Sequence, residues 1–155
     1  MKAEHINPFV KAAYSVLEAA LGVKTEKGEL SVRADGTTSQ QCTTVTGITG
    51  ALRGTVMYGM ALATADKIAS LMLGQPVRTF DQLAASAVAE LANMITGNAL
   101  TELAELGFVC DISPPSIVRG SNVRITATAE KTIVIPILFD GTGIELCLSL
   151  KEPGE

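Results

Sequence analysis

Residues 80–106 read FDQLAASAVAELANMITGNALTELAEL, and they carry the strongest structural signal in the chain. Apolar residues recur at three- and four-residue spacing throughout this stretch, which predicts a long amphipathic helix over residues 80–106. Thr79 and Gln82 have the spacing of a capping box at its beginning. Gly107 follows directly, and glycine is the residue that most often ends a helix. The rest of the fold must therefore supply a surface long enough to cover one side of this helix.

The two sides of this predicted helix differ in chemistry. At about 100° per residue, one broad side is apolar and is expected to face the core. It carries Leu83, Ala84, Ala87, Val88, Leu91, Met94 and Ile95. The opposite side carries Ser86, Glu90, Asn93 and Gly97, with Ala89, Ala92 and Thr96 beside them. Glu90 and Asn93 thus place a carboxylate and a carboxamide one turn apart on a surface of small side chains.

The pattern alone leaves two interpretations of Glu90 and Asn93 open. A spacing as short as Glu-x-x-Asn also occurs on helix faces that are simply solvated. However, Asn is a mediocre residue in mid-helix, and Gly97 costs up to about 1 kcal/mol there relative to Ala. Small neighbours let the backbone of another protein approach closely. The second interpretation is therefore an interaction face with two projecting polar groups.

Two further helices and several strands are predicted around this helix. The helices run from Asn7-Pro8, where Asn7 is the N-cap, to Gly22, and over residues 65–73, between the cap Thr64 and Gly74. Strand patterns cover residues 30–34, 42–49, 52–62, 108–112, 123–129, 132–139 and 144–150. Turns are predicted at Asp35-Gly36 and at residues 140–143, and Pro136 predicts an edge or a bulge.

This order of elements nearly repeats: a helix with three strands, a short helix, then a helix with three or four strands. The repetition predicts an α+β fold of pseudo-duplicated helix-plus-three-strands units, with long helices packed on an antiparallel-rich sheet. No linker or low-complexity segment is visible, so residues 1–155 are expected to form a single domain.

The composition excludes several classes of protein. Hydrophobic residues make up 47% and aromatic residues 4% of the chain, which predicts an ordered domain with an aliphatic core. The net charge is −4 and Lys and Arg are scattered, which argues against nucleic-acid binding. The apolar runs are too short to span a bilayer, so no membrane insertion is expected.

Histidine and cysteine chemistry is limited as well. His5 is the single histidine, and its place in a predicted N-terminal tail argues against most histidine-based mechanisms and His-rich metal sites. Cys42, Cys110 and Cys147 lie far apart in predicted strands, where we expect buried small side chains rather than a disulfide framework, a zinc site or nucleophiles. No metal site is predicted. This cysteine usage indicates a reducing compartment, the cytoplasm.

Three stretches resemble the CheX/CheC family of chemotaxis phosphatases, and its CheX-like single-site members in particular. They are Ile6-Asn7-Pro8-Phe9, the glycine-punctuated residues 45–56, and Ala89-Glu90-Leu91-Ala92-Asn93-Met94-Ile95-Thr96-Gly97. The family pattern is Asp or Ser, Glu four residues later, Asn three residues further on, and a distant Pro. Ser86, Glu90 and Asn93 match its first three positions. Pro114 and Pro115 fall slightly short of the family spacing, which leaves the role of their loop open.

Some family members carry a second copy of the pattern on the first helix. Glu4 and Asn7 have the corresponding spacing here. Because Asn7 precedes Pro8, it is interpreted as an N-cap, and one site is assigned.

The resemblance implies a CheC-like fold and a phosphatase that hydrolyses the aspartyl phosphate of a CheY-type response regulator. It implies that Asn93 orients the attacking water in the receiver's site and that Glu90 pairs with a receiver lysine. Ser86, Ala89 and Gly97 would border this contact. The chain would need no cofactor of its own, since Mg²⁺ is expected on the partner receiver domain. Single-site members also imply a homodimer.

The alternative function is a non-catalytic adaptor or scaffold domain that binds a signalling partner with the same fold. The presence of both Glu90 and Asn93 favours the phosphatase.

Overall fold

The computed structural model describes residues 1–34, 37–126 and 131–154. This part of the chain contains three helices: α1 (Ala3–Leu21), α2 (Leu62–Leu73) and α3 (Gln82–Glu105). Its strands are β1 (Glu26–Lys27), β2 (Ser31–Arg33), β3 (Thr37–Thr38), β4 (Cys42–Gly50), β5 (Arg53–Met60), β6 (Cys110–Ile112), β7 (Ser116–Arg119), β8 (Ile125–Thr126), β9 (Thr132–Phe139) and β10 (Thr142–Lys151).

Eight of these strands form one antiparallel sheet. Its order is β1-β9-β10-β5-β4-β6, with β2 also paired to β9 and β7 to β4, while β3 and β8 form a separate two-stranded sheet. Each half of the chain contributes a hairpin, β4–β5 or β9–β10, and the two hairpins meet where β5 pairs with β10. Four short strands pair with the hairpin of the other half: β1 and β2 with β9, and β6 and β7 with β4. The predicted α+β fold of pseudo-duplicated units is therefore confirmed, with the halves interleaved in one sheet.

The core lies between the helices and one face of this sheet. Its buried side chains are mostly aliphatic, and Tyr58 and Phe9 are the largest of those that are fully buried. On the other face of the sheet, a second small cluster consists of Met57, Val134 and Cys147. The scarcity of aromatic residues is thus met by close packing of Ala, Val, Ile and Leu.

Two glycines sit at positions that only glycine fits well. The β9–β10 turn consists of Asp140 and Gly141, with φ of 49° and 75°, which suits the twist of a two-residue hairpin. It is shorter than the predicted turn over 140–143. Gly54 has a φ of +151°, and a Cβ there would overlap the carbonyl oxygen of Ser149 on β10. Glycine at position 54 therefore permits the close approach of β5 and β10.

Pro136 lies in a strand with neighbours on both sides, so of the two expected features the bulge is observed and the sheet edge is not: residues 28–30, between β1 and β2, lie opposite only residues 135–136 of β9. Pro136 sits at the break between β1, which pairs with residues 137–138, and β2, which pairs with residues 132–134. The Pro136 carbonyl accepts a hydrogen bond from the Gly28 N–H at 2.7 Å. Proline has no N–H to donate, and at position 136 neither β1 nor β2 lies opposite to accept such a hydrogen bond.

α1 begins earlier than predicted and continues through Pro8. Asn7 lies inside the helix and is not its N-cap, a position that Lys2 occupies. His5 does not lie in a tail: it is 1% exposed, and its ring packs edge-on against Phe108 with 4.8 Å between centroids. This tertiary contact buries the His5 side chain and offsets the hydrogen bond that Pro8 removes.

α2 begins at Leu62, three residues before its predicted start, and shortens the preceding strand accordingly. The Leu62 N–H donates to Gln41 Oε1 at 2.8 Å, so a side chain from outside the helix caps it. Thr64, the predicted cap, is hydrogen bonded instead to Thr142. The helix ends at Gly74 in the left-handed conformation, as predicted.

α3 begins two residues later than predicted and is capped by a different residue. Asp81 Oδ1 accepts the Ala84 N–H at 2.9 Å, whereas Thr79 lies before the cap. At the other end, the Phe108 N–H bonds back to the Leu103 carbonyl across Gly107, which closes the helix where expected.

Short strands are the elements that the sequence does not reveal. β1, β3 and β7 have two to four residues each, too few for an alternating pattern. β8 keeps Ile125–Thr126 of the predicted strand, and residues 127–129 lie outside the described residues, as does the Asp35-Gly36 turn. Within the described ranges, no helix has the length and apolar character needed to cross a membrane.

Candidate functional site

α3 carries the predicted site, and a residue of β7 contacts the chain just before this helix begins. Arg119 Nη1 donates to the carbonyl oxygen of Phe80 at 2.8 Å, and its guanidinium lies 5.3 Å from the centre of the Phe80 ring. Phe80 directly precedes the cap residue Asp81. The first turn of the helix is thereby attached to the sheet.

The middle of α3 is attached to the sheet by a buried polar contact. The Tyr58 and Thr96 hydroxyls lie 2.7 Å apart, and the two residues are 1% and 0% exposed. Helical periodicity predicts Thr96 beside the polar face and assigns no role to Tyr58. Because of this predicted placement, and because the partner of Thr96 lies 38 positions away in the chain, the sequence carries no signal for this bond.

The five predicted site residues lie together on the outward side of α3. Ser86 and Glu90 are exposed, whereas Ala89, Asn93 and Gly97 are partly exposed. Neither Glu90 nor Asn93 forms a hydrogen bond or an ion pair with any part of the chain that the structure describes. The carboxylate and the carboxamide are thus free to bind a group from outside.

Four residues of α3 face differently from the prediction. Leu83 and Met94 were expected in the core, but they are 55% and 37% exposed. Ala92 and Thr96 were expected beside the polar face, but both are buried. The buried sector of the helix is therefore rotated toward Ala92 and Thr96. The outward face includes two large apolar side chains as well as small ones.

The outward face of α3 has little charge. Glu90 is the only ionisable side chain between Asp81 and Glu102. Two shallow surface cavities, one of about 800 Å³ beside Asp140 and one of about 270 Å³ beside Glu102, do not include Glu90 or Asn93 in their lining. The site is thus a projecting face, a shape that fits a protein partner better than an enclosed small molecule.

The loop with Pro114 and Pro115 lies between β6 and β7 and is attached to β4. Ser113 exchanges two hydrogen bonds with Gly47: the Gly47 N–H donates to Ser113 Oγ at 2.9 Å, and the Ser113 N–H donates to the Gly47 carbonyl at 3.0 Å. The two prolines follow this anchor directly, which fixes the start of the loop.

The cysteines are free thiols, and two of them are buried as expected. Burial raises the pKa of Cys42, and burial followed by the charge of Glu145 raises the pKa of Cys147 to about 12. Cys110 is only partly buried, contrary to expectation. In the described ranges, no three His, Cys, Asp or Glu side chains are grouped as metal ligands would be.

Comparison with known proteins gives this geometry a context. A family model described as chemotaxis phosphatase CheX matches residues 42–138. A protein named CheY-P phosphatase CheX, from Thermotoga maritima, is 32% identical over 156 residues, which cover 99% of this chain and 100% of that protein.

Two solved structures extend the similarity. Chemotaxis protein CheX from Desulfovibrio desulfuricans matches with a TM-score of 0.86 and 26% identity over 96% of this chain and 99% of its own. The CheX–CheY–BeF₃–Mg²⁺ complex from Borrelia burgdorferi matches with a TM-score of 0.81 and 30% identity over 96% of this chain and 98% of the matched chain. Sequence and structure agree over nearly the whole length, and this chain belongs to the chemotaxis phosphatase CheX family.

Proposed function

We propose that this protein hydrolyses the aspartyl phosphate of a CheY-type response regulator. The observation that carries the proposal is the free Glu90–Asn93 pair, one turn apart on the outward face of α3. It occurs in a chain that is similar over its full length to a CheY-P phosphatase. The partner class follows from the related complex, which contains CheY.

The reaction requires little covalent chemistry from this chain. Water attacks the phosphorus atom, the bond between phosphorus and the aspartyl oxygen breaks, and the products are a free carboxylate and inorganic phosphate. The water proton leaves with the phosphate or to solvent. An acyl phosphate is already activated, so the main requirement is a water molecule held in line. Asn93 supplies an amide that can orient this water, the task that a glutamine performs in GTPases.

Glu90 would set the register of the complex. Its carboxylate is the single ionisable group of α3 between Asp81 and Glu102, and a receiver lysine is the matching group. An ion pair formed as an interface closes contributes specificity and association rate more than affinity. Ser86, Ala89 and Gly97 would let the receiver approach closely, because none of them has a large side chain. Mg²⁺ would stay on the receiver; the related complex contains Mg²⁺ together with CheY.

We further propose that residues 1–155 act as one domain, as a homodimer, in the cytoplasm. The interleaved halves share one contiguous core, which supports a single domain. Short strands at both sheet edges leave backbone groups that a second copy could cover. Three unpaired cysteines are compatible with a reducing compartment.

Dephosphorylation of a phosphorylated receiver domain tests the function. We expect the purified protein to accelerate loss of phosphate, and Asn93→Ala to lower kcat at least a hundredfold without changing the unfolding midpoint. Asn98→Ala is the matched control, because Asn98 is an exposed asparagine of α3 that points about 140° away from Asn93 around the helix axis. Equal loss in both variants, or none in Asn93→Ala, would remove Asn93 from the mechanism.

The adaptor alternative predicts binding without turnover. A receiver held in its active form by beryllofluoride and Mg²⁺ would then bind as tightly to Asn93→Ala as to the unaltered protein, and neither would release phosphate from a phosphorylated receiver. If the unaltered protein releases phosphate and Asn93→Ala does not, the adaptor alternative is excluded.

A further inference from the structure

Two large apolar side chains share the outward face of α3 with the predicted site. Leu83 lies seven residues before Glu90 and Met94 four residues after it. At about 100° per residue, both lie within roughly 40° of the direction of Glu90. Asn93 and Ser86 lie on the other side of Glu90. The carboxylate therefore separates a polar half of the face from an apolar half.

The composition of this face differs from that of a solvated helix surface. Of all twenty helix residues from Gln82 to Thr101, on every side of α3, one has an ionisable side chain, Glu90. Solvated helix faces usually carry charged residues of both signs, whereas the centres of protein interfaces are depleted in charge and enriched in large apolar side chains such as Met. Leu83 and Met94 are 55% and 37% exposed, so truncating them removes little from the core.

We propose that Leu83 and Met94 are docking residues that bind an apolar patch of the phosphorylated receiver next to the lysine paired with Glu90. This inference rests on the proposed function and assigns a division of labour within the same site. The polar half, with Asn93, acts on the phosphoryl group. The apolar half supplies affinity. A single carboxylate on an otherwise uncharged face suits one basic group surrounded by apolar surface, which makes a receiver domain the occupant rather than a highly charged partner.

Steady-state kinetics separate the two halves. The substrate is a CheY-type receiver from the same genome, phosphorylated with acetyl phosphate. We expect Leu83→Ala and Met94→Ala each to raise KM about fivefold and leave kcat unchanged. Along the helix axis the two positions are about 16 Å apart, so their effects should multiply to roughly 25-fold in the double variant. The conservative variants Leu83→Met and Met94→Leu should keep KM within about twofold.

Leu71→Ala provides a matched control. Leu71 is 41% exposed and lies on α2, so it loses a similar side chain outside the proposed face. Its KM should not change. The unfolding midpoint of every variant in urea should match that of the unaltered protein, which excludes misfolding as the cause of a higher KM.

The outcomes distinguish this inference from the proposed function. KM values that stay constant in both alanine variants, or that rise equally in Leu71→Ala, overturn the docking role even when Asn93→Ala abolishes turnover. A change in oligomeric state on light scattering, with KM unchanged, would reassign the patch to contact between copies of this chain. If the unaltered protein shows no turnover, the affinity for the beryllofluoride form of the receiver is measured instead. Binding that is about fivefold weaker in each alanine variant supports docking without catalysis. Unchanged or undetectable binding overturns the docking role.

Discussion

The hydroxyl groups of Tyr58 and Thr96 lie 2.7 Å apart in a buried hydrogen bond between β5 and α3. Thr96 follows Asn93 by three residues, so this bond fixes the rotation of the helix at the turn that presents the amide to solvent. The neighbouring buried side chains Leu91, Ile95 and Ala99 are apolar and form no directional bond with the sheet. A directional bond at this position holds one orientation.

Removing one partner of this bond should destabilise the protein. Tyr58→Phe leaves the Thr96 hydroxyl buried without its partner, and Thr96→Val does the same to Tyr58, so each should cost about 1–3 kcal/mol. The double variant should cost less than the sum, since no hydroxyl is then left unpaired. Urea unfolding measures all three values. Strict additivity would show that the two groups do not interact.

The attachment of α3 to β7 should contribute modestly to stability. Arg119→Ala removes the hydrogen bond to the Phe80 carbonyl and the contact with its ring, and we expect a loss of about 0.5–1.5 kcal/mol. Arg119→Lys should recover only part of this, because an ammonium lacks the flat guanidinium that stacks on the ring. Urea unfolding again gives the values. Arg53→Ala, at an exposed arginine with no contact of this kind in the described chain, should change stability little.

Replacing Gly97 with alanine should increase stability but weaken binding of the receiver. A Cβ at this position meets no atom within 4 Å, so the isolated chain has room for alanine. Gly97→Ala should therefore stabilise the protein by up to about 1 kcal/mol. If the receiver backbone packs here, the added methyl group should raise KM severalfold. Urea unfolding and steady-state kinetics test the two halves of this prediction, and an unchanged KM would mean that the receiver does not approach Gly97 closely.

Alkaline pH should destabilise the fold through its buried thiols. The pKa of Cys147 is raised to about 12 by burial and by Glu145, and that of Cys42 is raised by burial. In the unfolded chain both thiols ionise near pH 8.5–9. The native state then holds more protons than the unfolded state, so stability is intact below about pH 8.5 and falls as pH rises, by up to about 1.4 kcal/mol per pH unit for each thiol.

Unfolding midpoints between pH 7.5 and pH 10 measure this loss. The double variant Cys42→Ala/Cys147→Ala should flatten the profile, although its stability at neutral pH is lower because two core side chains are truncated. A double variant as steep as the unaltered protein would assign the effect to other groups.

Much of the secondary structure follows from local sequence signals, namely helical periodicity, the placement of glycines and turn residues. They were sufficient for α3 and its end at Gly107, the ends of α1 and α2, the long strands and the Glu90–Asn93 pair, because each depends on neighbours within a few residues. Fold class followed from the order of these elements. The resemblance of the α3 stretch to a known family supplied the function that spacing alone left open.

Contacts between distant residues decided the rest. His5 and Phe108 extend α1 past Pro8, Gln41 caps α2, and Tyr58 draws Thr96 inward. Periodicity predicts which side of a helix is apolar. It does not predict where around the helix the boundary between buried and exposed residues lies, because packing against the sheet sets that boundary. Leu83 and Met94 lay near that boundary, and only the position of α3 on the sheet placed them beside Glu90 in solvent.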